Sequence, residues 1–327
     1  MPLFSLDELK SAADLVYKHM PPTPQYSWPL INKTVGTEVW VKHENHTPTG
    51  AFKMRGGITF MDWLKRTQAD VKGIVTATRG NHGQSQARAA TMAGLTAKIV
   101  VPEGNSTEKN KAMVAFGAEL IIAGKDFDVS KDIAAKLAET EDLFMVPPFH
   151  KQLAVGVSTY ALELFTNVPD IDTVYVPIGG GSGVCGLITA RDLLGLKTKI
   201  VGVVATEAQA PKLSVDSGTI VETETADTFA DGMAVRVVIP EAYEVYAVCA
   251  ERIIAVSDDE IAAAMRLYYQ QTHNLAEGAG AAALAALMQE KDKMFGKKVA
   301  VILSGGNIDT DLFAAVLRGS TPEVMAL

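Results

Sequence analysis

The feature that most constrains the fold is a regular alternation of short Val/Ile-rich runs with longer helical stretches. Segments 38–42 (EVWVK), 73–78 (GIVTAT), 97–102 (AKIVVP), 118–123 (AELIIA), 173–178 (TVYVPI), 199–205 (KIVGVVA), 252–257 (RIIAVS) and 299–304 (VAVILS) read as strands. Helical patterns are expected at 6–19, 82–93, 106–116, 128–140 and 310–318. The strand runs are continuously apolar rather than alternating, the pattern of parallel strands covered on both faces. An α/β architecture of open sheets follows, and such sheets bind ligands beyond the carboxyl ends of their strands. The proline-rich PPTP at 21–24 predicts an extended arm, and MVPPFH at 145–150 a crossing between two halves of the chain.

Composition excludes several classes of function. The formal charge is 30 minus 38, or −8, with no basic block, which argues against nucleic-acid or anionic-membrane partners. Cys185 and Cys249 share no metal-ligand spacing, so the expected setting is a reducing, cytoplasmic one. No apolar run reaches the roughly 18 residues of a membrane span, and MPLFSLDELK lacks the order of a signal peptide.

The strand-end loops carry the chemistry. After 73–78 stands TRGNHGQS, where Gly80 and Gly83 permit close backbone approach and Asn81, His82 and Gln84 offer polar groups at a helix start. After 173–178 stands GGGSGVCG, whose successive glycines let backbone N–H groups converge on a phosphate. Gly181, Gly183 and Gly186, with Glu207 further on, also satisfy a dinucleotide-binding pattern, so a nicotinamide dehydrogenase stays open at this point. The third loop, SGGNID at 304–309, begins with Ser304, which could meet a ring nitrogen or simply turn the chain. AEGAGAAALAAL at 276–287 sets Glu277 ahead of a small-residue helix suited to very close packing.

Residues 42–57, KHENHTPTGAFKMRGG, place Lys53 after Gly50, Ala51 and Phe52, at a turn running into a helix. A desolvated lysine loses its proton more easily, and a neutral amine can form a Schiff base with an aldehyde. A solvated surface lysine would leave the same local pattern.

Taken together, these segments resemble the fold-type II pyridoxal-phosphate enzymes, most closely their threonine dehydratase and serine racemase branch. The resemblance rests on Gly50-Ala51-Phe52-Lys53-Met54-Arg55-Gly56, on Thr78-Arg79-Gly80-Asn81-His82, on Gly179-Gly180-Gly181-Ser182, on Ala230-Asp231-Gly232 and on Glu277 and Ser304, in the family's order. It implies two open twisted, mostly parallel sheets covered by helices, as in the tryptophan synthase β chain, with pyridoxal 5'-phosphate between the domains. Residues 1–63 and 149–327 would form the larger, cofactor-binding domain and 64–148 the smaller.

By that resemblance Lys53 carries the cofactor and removes the α-proton, Phe52 packs on its ring and Asn81 bonds its hydroxyl. Gly179, Gly180, Gly181, Ser182 and Gly183 hold the phosphate, Ser304 meets the ring nitrogen, and Glu277 is an acid close to the cofactor. Thr78, Arg79, Gly80, Asn81 and His82 form the substrate-carboxylate loop. The implied reaction is elimination of water from L-threonine or L-serine, giving a 2-oxo acid and ammonia in a homodimeric enzyme. Phenylserine and 3-hydroxyaspartate are alternative substrates, and serine racemisation an alternative reaction.

Three departures shape the expectation. Arg79 stands where racemases of the family place a second acid/base, so elimination is favoured over inversion. Val204, Ala208 and Ala210 stand where the family's divalent-metal ligands are expected, with Glu207 out of register, so no such metal is expected. After 310–318 the chain leaves no room for an amino-acid-sensing regulatory domain, so feedback by isoleucine is not expected.

Overall fold

The computed structural model describes residues 2–323. Among these residues ten strands form two sheets: β1 (Gln25–Ser27), β2 (Glu38–His43), β3 (Gly73–Ala77), β4 (Thr96–Val101), β5 (Glu119–Ile122), β6 (Phe144–Met145), β7 (Thr173–Pro177), β8 (Lys199–Ala205), β9 (Arg252–Val256) and β10 (Lys298–Leu303). The larger sheet runs β1-β2-β10-β7-β8-β9 and the smaller β5-β4-β3-β6. Every pairing is parallel except that of β1 with β2 at one edge. The eight strands expected from the sequence are present. β1 and β6 are additional.

Two-sided burial explains the unbroken apolar runs. On β10, Val299, Val301 and Leu303 enter the core around the helix Gly278–Gln289, while Ala300 and Ile302 enter the core on the opposite face. That second core is closed by the helices Leu6–Val16, Lys151–Val157, Thr159–Asn167 and Ser182–Leu193. In the smaller sheet Ile99 and Val101 face one core and Val100 the other. Each such Val, Ile or Leu side chain contributes about 1.5–3 kcal/mol by leaving water, so neither face tolerates a polar alternation.

The helix Lys53–Thr67 joins the halves, packing on the helices Asn81–Ala93 and Lys151–Val157. Close approach requires Gly56, where a Cβ would press to 2.7 Å on the Leu153 carbonyl. Residues 146–150 run from β6 to the helix Lys151–Val157, and so lead from the smaller sheet to the elements of the larger. Among the described residues no helix is long and apolar enough to cross a membrane.

Candidate active site

The loops following β2, β3, β7 and β10 converge. Thr47 fixes the first: its hydroxyl donates to the Ala51 carbonyl at 2.7 Å and accepts the Ala51 N–H at 2.9 Å. Ala51 forms an antiparallel bridge with Gly305, Phe52 N–H donates to the Ser304 carbonyl at 3.0 Å, and Gly306 N–H to that of Gly50 at 2.9 Å. The turn before Lys53 is thus stitched to the chain leaving β10. Phe52 stands edge-on to Tyr160, whose hydroxyl donates to the Gly183 carbonyl at 2.9 Å, and the Lys53 Nζ lies 4.9 Å from the Phe52 ring centre. Burial pushes the Lys53 amine down to about 8, against the pull of Glu277.

A fully buried ion network anchors this turn from below. Arg55 donates to Glu44 at 2.7 Å and to Glu163 at 2.6 Å, and Lys42 donates to Glu163 at 2.5 Å. Two cations and two carboxylates balance, and the hydroxyls of Thr23 and Thr159 complete the set. The long sequence separations make this network a tie between the lysine turn and the helix Thr159–Asn167.

After β3, the Thr78 hydroxyl accepts the Gly80 N–H at 3.2 Å and Asn81 opens its helix. Asn81 Nδ2 donates to Glu277 Oε1 at 2.6 Å, and Asn307 Nδ2 donates to Asn81 Oδ1 at 2.8 Å. Burial pushes Glu277 up to about 7, with Lys109 opposing. Lys109, buried over Gly80, pairs with Asp231 and lies 4.0 Å from Glu277. His82 is pushed down to about 3 by burial, with Lys53 adding to the effect, so its ring is neutral.

After β7, a Cβ at Gly179 would collide with the Gly232 carbonyl oxygen, and Gly181 takes φ +89° before the helix Ser182–Leu193 begins. This leaves backbone N–H groups and the positive end of a helix aimed at one place. Ser304 is buried just past the end of β10, where its carbonyl accepts the Phe52 N–H. Lys53, His82, Gln86 and Ser182 line one cleft with Gly56, Pro148, Leu153 and Val157. Several buried polar atoms near it have no partner: His82 Nε2, both amide atoms of Gln86, and Glu277 Oε2. An amine of lowered proton affinity, an anion-binding turn and unpartnered polar atoms fit a phosphorylated aldehyde.

A sequence profile described as "Pyridoxal-phosphate dependent enzyme" matches residues 16–305. The chain belongs to that family. It is 33% identical over 289 residues to an L-threonine ammonia-lyase of Geobacter sulfurreducens, covering 88% of this chain and 72% of that protein. It is 30% identical over 312 residues to a serine racemase of Schizosaccharomyces pombe, covering 95% and 96%. Among solved structures, the processed form of threonine deaminase isoform 2 from Solanum lycopersicum superposes with a TM-score of 0.89 at 30% identity, covering 97% of this chain and 89% of that one.

Pyridoxal phosphate is therefore the cofactor that these residues must accommodate. Of the residues singled out from sequence, Lys53, His82 and Ser182 line the cleft, Phe52 is bonded to the Ser304 carbonyl next to Lys53, and Asn81 is bonded to Glu277, whose charge acts on Lys53. Arg79 is half-buried and makes no hydrogen bond or ion pair among the described residues; desolvation holds its proton affinity down, and Asp231 and Asp126 oppose. Family membership displaces the dinucleotide reading. Gly186 has a packing role instead, since a Cβ there would meet the backbone at Ala154 and Ser158 at 3.3 Å. Lys109, Gln86, Asn307 and the Glu44–Glu163 pair were not singled out from sequence. Each is a polar residue in a polar helix, turn or loop, or in the case of Glu163 a lone acid on a helix, and nothing in one sequence marks such a residue as buried.

Proposed function

We propose that the chain is an ammonia-lyase that eliminates water from L-threonine or L-serine, releasing a 2-oxo acid and ammonia. The observation that carries this reading is Lys53: a partly buried amine of lowered proton affinity that shares a cleft with His82 of the loop after β3 and Ser182 of the loop after β7. The named relatives, an L-threonine ammonia-lyase and a threonine deaminase, support it. Pyridoxal phosphate, when bound, supplies the sink for the electron pair of the broken Cα–H bond.

The chain's own residues do the rest. As a neutral amine, Lys53 Nζ accepts the α-proton. The Thr78–His82 turn would bind the substrate carboxylate, the 179–183 turn would hold the cofactor's phosphate, and Ser304 would face its ring. Asn81 and Glu277 fix the ring between the sheets. Arg79, fully protonated, has no base to offer on the face opposite Lys53, which favours elimination over inversion.

Two narrower readings have their own support. The resemblance to a serine racemase favours racemisation. The unpaired Arg79 guanidinium favours a substrate with a second anion, such as 3-hydroxyaspartate, for which its planar fork is suited. The division into 1–63 plus 149–327 and 64–148 is part of the proposal, and it is supported by β3, β4, β5 and β6 sharing one sheet. A cytoplasmic homodimer is part of the proposal, supported by exposed Tyr26 and Leu30 at the β1 edge, and size-exclusion chromatography tests the dimer. The absence of a family-type metal is likewise proposed, from the buried apolar side chains at Val204, Ala208 and Ala210.

The central experiment is borohydride reduction followed by peptide mapping. The purified protein should lose its visible band and carry the label on Lys53. A colourless protein that takes up no pyridoxal phosphate would sink the proposal. Assays of 2-oxo acid from L-threonine, L-serine, phenylserine and 3-hydroxyaspartate, with chiral analysis of residual serine, rank the substrates and reactions.

A further inference from the structure

Gln86 is a polar side chain of the cleft for which the proposed reaction has no role. It is 0% exposed, and neither its amide nitrogen nor its carbonyl oxygen has a hydrogen-bond partner. It shares the cleft with Lys53 and Ser182, and His82, four residues earlier on the same helix face, adds an unpartnered Nε2. The lining also includes the apolar side chains of Pro148, Leu153 and Val157. No described residue therefore satisfies the amide, and a buried unpaired amide is destabilising. Three unpartnered atoms around one space, roughly the size of a single water, meet the conditions for an ordered water with several partners.

We propose that Gln86 is a cofactor-positioning residue: with His82 it holds a water that links its amide to the phosphate bound by the 179–183 turn. The Gln86 N–H donates to the water oxygen, and the water donates to a phosphate oxygen. No bond is made or broken, so the effect falls on cofactor affinity and placement. This rests on the proposed function, with the cofactor's phosphate seated next to this water-sized space, against Ser182.

The test uses the full chain, resolved from its cofactor and titrated with inorganic phosphate and with pyridoxal phosphate. Gln86→Met keeps the length of the side chain and removes both polar atoms. Its cofactor-free form should melt at the parent's temperature or above, since an unpaired amide is gone. Stabilisation by inorganic phosphate should shrink, and pyridoxal phosphate should bind about tenfold more weakly, the scale of one hydrogen-bonded link. Gln86→Glu keeps the size but turns an anion toward the phosphate, so its loss should be larger at pH 8 than at pH 5. Either variant folding and binding both ligands as the parent does would overturn the proposal, as would a lowered melting temperature with unchanged binding. A parent that binds neither phosphate nor pyridoxal phosphate would defeat the cofactor reading itself.

Discussion

Asn81 Nδ2 donates to Glu277 Oε1 at 2.6 Å, joining the helix that follows β3 of the smaller sheet to the one that packs under the larger. Asn307, held at Thr49 by a 2.7 Å bond to its carbonyl, donates to Asn81 in turn. Three loops are thereby tied through one asparagine. Glu277 Oε2 has no hydrogen-bond partner, so removing Asn81 strips the carboxyl of its remaining bond. Asn81→Ala is expected to cost about 1–3 kcal/mol of stability in the cofactor-free protein, read as a lower urea midpoint at unchanged slope.

Glu277 makes stability depend on pH in a defined window. Burial raises its folded value to about 7 from an ordinary 4.5, so the folded state binds the proton more tightly than the unfolded chain. The protonated acid's advantage is full below about 4.5 and lost as pH rises through 7. Glu277→Gln keeps an oxygen for Asn81 and removes the titration. The melting temperatures of E277Q and the parent, both cofactor-free, should diverge in favour of E277Q between pH 4.5 and 7, by up to roughly 3 kcal/mol. Parallel curves across that range would exclude Glu277 as the titrating group.

The Arg55 network is a positional lock that carries a stability cost when broken. Arg55, Glu44 and Lys42 are each 0% exposed, so removing one charge leaves another unpaired in a dry interior. Arg55→Met should cost about 3–5 kcal/mol, while pairing it with Glu44→Gln should recover part of that loss. Chemical denaturation of both variants measures the difference. Equal losses would mean the packing of the arginine stem matters rather than its charge.

How much of this could be read from the chain alone depended on whether a property was local. Strands such as Val299–Leu303 were legible because both faces are buried, leaving no polar residue to break the run. β1 and β6, of three and two residues, are too short to leave a pattern, and they exist because β2 and β3 offer them an edge. The chemistry of Lys53 became legible through distant loops whose spacing is specific. The ties that hold those loops were not: Arg55 and Glu163 lie 108 residues apart, Asn81 and Asn307 226. A single sequence does not record which buried charge meets which. Gln86 was invisible for another reason, because a glutamine on a helix is ordinary until its amide proves to have no partner.

Arg79 carries the prediction that separates elimination from inversion. Inversion needs a proton donor on the face of the α-carbon opposite Lys53, and a guanidinium that stays protonated cannot exchange protons there. A serine hydroxyl can. Arg79→Ser should therefore introduce D-serine from L-serine where the parent forms little, while 2-oxo acid formation falls because the turn loses a cation that helps hold the substrate. On 3-hydroxyaspartate the loss should be greater than on serine, by about tenfold in kcat/KM if the guanidinium pairs with the second carboxylate. Chiral chromatography of the serine reaction and a 2-oxo acid assay on both substrates read the two effects separately. If R79S yields no D-serine, the second base is not what this site lacks. If its loss is the same on both substrates, Arg79 orders the turn and does not select for charge.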